Sequence, residues 1–138
     1  MDKYEYKVKL AQIEKLVSKK DFVTAAKIAD GIDWRKVKSV TTLNMIADVY
    51  EANDRLEDCY EILNMVYDRS PIGRRVVYHM TEVATKMHDF EEAIDLYKEF
   101  VKIAPHDLGR YILKYQIYRE RGLSVTDQIT ILEEYKRH

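Results

Sequence analysis

Apolar side chains recur along this chain at intervals of three and four. Tyr6, Leu10, Ile13 and Val17 share one face of a helix near the start, and Leu43, Ala47 and Tyr50 share one face of a later helix. That is the period of an amphipathic α-helix, not the alternation of a strand. The spacing predicts eight helices, near 3–18, 21–30, 34–52, 55–69, 73–87, 89–104, 107–121 and 126–137. Four glycines and two prolines are too few for the many tight turns of an all-β domain of this length. Asp21, Asp54 and Asp89 stand where a carboxylate can accept from the free N–H groups of a helix start. Gly31 and Gly122 stand where a left-handed residue can end one.

The pattern also repeats at longer range. Phe22, Leu56 and Phe90 are 34 residues apart, and three positions after each comes a small side chain, Ala25, Cys59 or Ala93. Pro71 and Pro105 keep the same interval, each just past an expected helix, where a fixed φ and a missing N–H stop helical propagation. The small side chains are expected to let paired helices approach closely, while Tyr50, Leu63, Tyr97 and Phe100 fill the seam with the next unit. A two-helix unit of this kind cannot bury both its faces alone, so stacking supplies its stability.

Residues 74–107 carry the motif most fully, with Asp89-Phe90-Glu91-Glu92-Ala93-Ile94-Asp95-Leu96-Tyr97 followed by Pro105. Residues 40–73 follow, with Leu43, Ile46, Ala47, Tyr50, Leu56, Cys59, Leu63, Val66 and Pro71. On these residues the chain resembles the tetratricopeptide repeat family, whose unit is a helix-turn-helix of this length. The resemblance implies an all-α fold, a right-handed α-solenoid of about four repeats forming one domain, with units near 3–33, 34–72, 73–106 and 107–138 and with first helices lining a concave surface. The outer units fit more loosely. Gly31 is expected to stop the second helix of the first unit early, and the last helix fits only with a small insertion near Ser124. Leu43 and Val77 replace the family's tryptophan, and Ala47 and Thr81 its packing glycine, which implies slightly wider helix contacts.

Composition narrows the function. With 138 residues, 46% of them apolar, the chain can bury a core without cofactor or disulfide. Its 23 basic and 24 acidic side chains nearly cancel, which argues against a nucleic-acid partner. The single cysteine, Cys59, excludes an internal disulfide framework and a multi-thiolate metal site, and makes a cytoplasmic location the expectation. Met1 to Lys9 has no secretory core, and no apolar run is long enough to insert directly into a membrane.

No catalytic, cofactor-binding or metal constellation emerges, so the chain reads as non-enzymatic. His79, His88, His106 and His138 lie in separate units without the four-residue spacing of a helical zinc site. Cys59 stands where the other units place alanine, which favours a buried small hydrophobe over a nucleophile. Glu91-Glu92 and Glu133-Glu134 are neighbours on a helix surface and do not form an acid–base pair, and the isolated glycines form no phosphate loop.

The repeat register aims a different set of residues at the concave side: Asn44, Asp48, Glu51, Arg75, Tyr78, Glu82, Lys86, Ile112, Gln116 and Arg119. They form a mixed polar groove with an aromatic near its middle. Some members of the family clamp a peptide's terminal carboxylate with lysine and asparagine. Leu10, Glu14 and Met45 occupy the corresponding faces here, so that clamp is expected to be absent. The leading expectation is a scaffold or adaptor module that binds a peptide or protein segment in this groove. The alternative is an accessory or sensory helical domain of a longer enzyme or membrane protein. Val125, Ile129, Ile131, Leu132 and Tyr135 spread over a wide arc of the last helix, and self-association through that helix is a further expectation.

Overall fold

The first helix begins at Asp2, whose carboxylate accepts the Glu5 N–H at 2.8 Å. A computed structural model describes residues 2–70, 73–122, 129–130, 133–134 and 136–137. The helices are α1 (Lys3–Ser18), α2 (Phe22–Ala29), α3 (Val40–Ala52), α4 (Leu56–Arg69), α5 (Arg74–Lys86), α6 (Phe90–Ile103) and α7 (Gly109–Glu120), with one 3₁₀ turn at Trp34–Lys36. The described residues contain no strand. None of their helices is long and apolar enough to cross a membrane.

The chain divides into two units, residues 1–69 and 70–138. In the first, α1 packs on α2, α2 on α3 and α3 on α4, around Ile13, Ala25, Leu43, Ile46, Ala47, Cys59 and Leu63, all fully buried. In the second, α5, α6 and α7 pack on one another around Val77, Val83, Ala93, Phe100 and Leu113. Ala25, Cys59 and Ala93 are each 0% exposed, as expected of residues at a close helix crossing. Thr81 and Thr85 are buried as well, their hydroxyls donating to the Val77 and Thr81 carbonyls at 2.7 Å, so neither leaves an unsatisfied polar group in the core.

The turns repeat more strictly than the side chains. Lys20, Asp54, His88 and Gly122, each 34 residues from the next, all adopt positive φ, between 56° and 80°. At the first three turns the following N–H donates back into the helix, from Asp21 to the Leu16 carbonyl, Arg55 to Tyr50 and Asp89 to Ala84. This is a Schellman closure, which satisfies carbonyls left open at a helix end. Asp21 and Asp89 then start the next helix, accepting from the Thr24 and Glu92 N–H groups at 3.2 and 3.3 Å.

Three expectations change. The helix expected over 34–52 is two elements, because Asp33 accepts the Arg35 N–H and starts a short 3₁₀ turn, Val37 is extended, and Ser39 caps α3 through the Thr42 N–H at 3.2 Å. Asp54 is not a cap but the left-handed turn residue. The capping position is 55, where an arginine stands. Gly31 keeps negative φ, since α2 ends at Ala29 with Asp30 still in the right-handed helical region. The eighth helix expected over 126–137 lies largely outside the described residues, and with it most of the self-association face. Ile129 is described and is 48% exposed.

Candidate functional site

Of the ten residues that the repeat register aims at one groove, Asn44, Asp48 and Glu51 lie in the first unit and the other seven in the second. On α3, Asn44, Asp48 and Glu51 follow at intervals of four and three and form one stripe, with Asp48 exposed and the other two half-buried. On α5, Arg75, Tyr78, Glu82 and Lys86 form a second stripe, with Arg75 and Lys86 exposed. On α7 the stripe is Ile112, Gln116 and Arg119, where Ile112 is 37% exposed.

The second unit brings its two stripes together. Gln116 Nε2 donates to Glu82 Oε2 at 3.3 Å, so α5 and α7 present their stripes side by side. Tyr78 is half-buried and supported from beneath by Phe100, with ring centroids 5.4 Å apart and planes at 63°. This edge-to-face arrangement fixes the ring in place. Gly109, the first residue of α7, makes room for it, because a Cβ there would stand 2.8 Å from Tyr78 Cε2. Arg75 and Glu82 share the helix face of Tyr78 on α5, Gln116 and Arg119 share a face of α7, and Arg119 sits 5.5 Å above the Tyr115 ring. The surface pairs a rigid aromatic and an exposed isoleucine with charges of both signs, which suits recognition of a polypeptide.

No family model matches the chain, and no curated protein matches it. Solved structures do. A protein from Podosopora anserina, described as a kinesin light chain with nearly identical TPR-like repeats, superposes with a TM-score of 0.59 at 14% identity, covering 95% of this chain and 73% of its own. A point-substituted form of that protein gives 0.62 at the same identity and coverage. The fold is TPR-like.

In a TPR-like frame, Asn44, Tyr78 and Ile112 occupy one position of successive first helices, and Asp48, Glu82 and Gln116 another. Cys59 is fully buried in α4 at the small-residue position. His88 is exposed in its turn, where its ring stacks on Phe90 and its Nε2 lies 3.3 Å from Glu120 Oε2. Sequence spacing did not reveal that link, because it joins the end of α7 to a turn 32 residues earlier.

The irregular segment after α2 was also missed. There Arg55 pairs with Asp30 at 2.9 Å and Asp58 at 2.8 Å, and its hydrogen bond holds the Asp30 carboxyl below the ordinary carboxylate range. Tyr50 donates to Asp30 at 3.1 Å. Burial, reinforced by the neighbouring Asp30 charge, pushes its hydroxyl up to about 12. Trp34 is 5% exposed, and its indole N–H donates to the Ala29 carbonyl at 3.0 Å, at the very end of α2. A lone tryptophan within an apolar helical pattern gives no sign of this back-folding.

Proposed function

We propose that the chain is a non-enzymatic interaction module that binds a peptide or protein segment on its first helices. The reading rests chiefly on the second-unit surface, where the Glu82–Gln116 hydrogen bond aligns two stripes around Tyr78. The TPR-like fold supports it, because such folds present side chains from successive helices as an extended recognition surface. The α3 stripe of Asn44, Asp48 and Glu51 would extend the same recognition in the first unit, with a concave face as the place of binding. An acidic-and-basic surface of this kind selects partners by complementary charge and fixes their register. The cytoplasm is the proposed compartment.

Affinity capture from source cells tests the reading. Tyr78→Ala combined with Arg75→Glu changes two residues that are half-buried and exposed, so the fold should persist while capture of the partner falls. Capture of the same proteins at the same yield by the double variant would remove the basis of the proposal.

A further inference from the structure

The second helices of the first unit are unequal. α4 runs for 14 residues, whereas α2 stops after 8, and residues 30–39 cross as a strap to the start of α3. Two cavities open along that strap. One, of 570 Å³, is lined by Asp30, Asp33, Trp34, Tyr50, Asp58 and Glu61 among others, and Arg35 and the neighbouring Arg55 already engage three of those carboxylates. The other, of 620 Å³, lies between the first turn of α1 and the strap. That is within the usual size of a ligand site, about 300–1,000 Å³.

The second cavity has an apolar wall of Tyr6, Ile32 and Val37 and a rim of Lys3, Lys36 and Lys38. Ile32 and Val37 are 8% and 9% exposed, while the three lysines are exposed. Its two carboxylates are outnumbered by these lysines: Asp2 accepts the Glu5 N–H at the start of α1, and Asp33 is paired with Arg35 at 3.0 Å and also feels the Lys36 charge. Among the described residues none of the three ammonium groups has a hydrogen bond or ion pair. The rim therefore presents a surplus of positive charge beside an apolar wall. The strap is extended at Val37 and Ser39, and among the described residues the N–H and C=O of Lys38 have no partner. At that one residue an extended peptide can make a pair of backbone hydrogen bonds, one donated and one accepted, which a lipid headgroup or a small anion, with no N–H to donate alongside its oxygens, does not match.

We infer that this cleft is a second docking site, separate from the Tyr78 surface, for an extended acidic segment of a partner protein that inserts one bulky aliphatic side chain. The aliphatic group would rest on Ile32 and Val37, and the flanking carboxylates would meet Lys3, Lys36 and Lys38. A second copy of the chain fits less well. The exposed acidic stripe that α4 offers, Glu57, Glu61 and Asp68, has beside it only Met65, which is half-buried and unbranched.

The test is fluorescence polarisation on the full chain with a short fluorescein-labelled peptide, a central leucine flanked by glutamates. Two control peptides replace the glutamates by glutamine or the leucine by serine. Saturable binding is expected, weaker for both controls and at higher salt, and weakened about tenfold or more by Lys3→Glu, Lys36→Glu and Lys38→Glu together. A circular-dichroism melt checks that this triple variant is folded, as its exposed positions require. The Tyr78→Ala, Arg75→Glu variant should bind the peptide normally, so failure of the other surface leaves this result standing.

No saturable binding, undiminished binding in the triple variant, or loss of binding in the Tyr78→Ala, Arg75→Glu variant would overturn the inference. So would lysine-dependent sedimentation with phosphatidylserine vesicles without peptide binding, which assigns the cleft to a membrane surface. Lysine-dependent self-association in light scattering, again without peptide binding, assigns it to a second copy and overturns it equally.

Discussion

Helices α2 and α6 begin alike and end differently. Each starts at an aspartate whose carboxylate accepts a backbone N–H, continues with phenylalanine, and places a fully buried alanine three residues later. Yet α2 has 8 residues and α6 has 14. The shared part shows what the repeat demands, a start signal and a close crossing. The difference shows what ends a helix when no proline does. Where α6 continues through Lys98, Glu99 and Phe100, α2 meets Asp30, Gly31 and Asp33, poor helix formers. Trp34 then folds back, and its indole N–H joins the Ile32 N–H on the Ala29 carbonyl. A backbone turn and a side chain outside the helix together close its end, and the residues released become the strap.

The largest expected effect separates the two regions. Trp34→Ala removes a buried tryptophan and one of the hydrogen bonds at the end of α2, and should destabilise by about 3–5 kcal/mol in a denaturant titration. A strap that is a mere linker would instead leave the midpoint where it was. Next, Ala25→Leu and Ala93→Leu should each destabilise by about 1–3 kcal/mol through overpacking. Similar losses confirm that the two regions share one crossing; a neutral Ala25→Leu would mean that the short helix gives way where the long one does not.

Tyr50→Phe removes the hydroxyl donated to Asp30 and should lower stability by about 0.5–1.5 kcal/mol at neutral pH. Its pH dependence carries a sign. With the folded hydroxyl near 12 against an ordinary 10, the protected neutral form contributes fully below pH 10, and that contribution is lost as pH rises toward 12. The variant should lack this alkaline loss in melts across that range. Asp30 runs the other way: its lowered folded value contributes above the ordinary carboxylate range and fades as acid protonates it.

The smallest effect compares two turns. Lys20→Gly relieves a left-handed non-glycine residue and should stabilise by about 0.5–1 kcal/mol. His88→Gly offers the same relief but forfeits the Glu120 contact and the stacking on Phe90, so its gain should be smaller. Equal shifts in thermal midpoint would show that those His88 contacts contribute nothing.

The sequence made the repeating parts of the fold legible, because each rests on local chemistry. Period-four apolar spacing located α1 to its ends, and small residues at 25, 59 and 93 marked the crossings now seen buried. Where tertiary contacts decide, the pattern misled. Trp34 and Val37 carry helical spacing, but both are buried in a strap, and α3 starts only after it, at Ser39. Asp54 was misread by one position, although the interval from 21 to 89 points to 55. The stripes on α5 and α7 were legible from the register, whereas the Glu82–Gln116 bond, the packing of Tyr78 over Phe100 and the cleft beside the strap depend on residues distant in sequence.

The evenly spaced left-handed residues have a consequence for how such a chain can grow. Residues 55–88 begin just after one Schellman turn and finish on another of the same backbone geometry. A tandem duplication of that segment joins His88 to a second Arg55, so the new junction is again a left-handed residue followed by the residue whose N–H closes the preceding helix. Duplication at this phase needs no new connecting chemistry. Because the left-handed residues are 34 apart, what the backbone requires is the length of the added segment: an insertion of a whole repeat keeps each left-handed residue beside the N–H that closes its helix, and one of any other length breaks that interval.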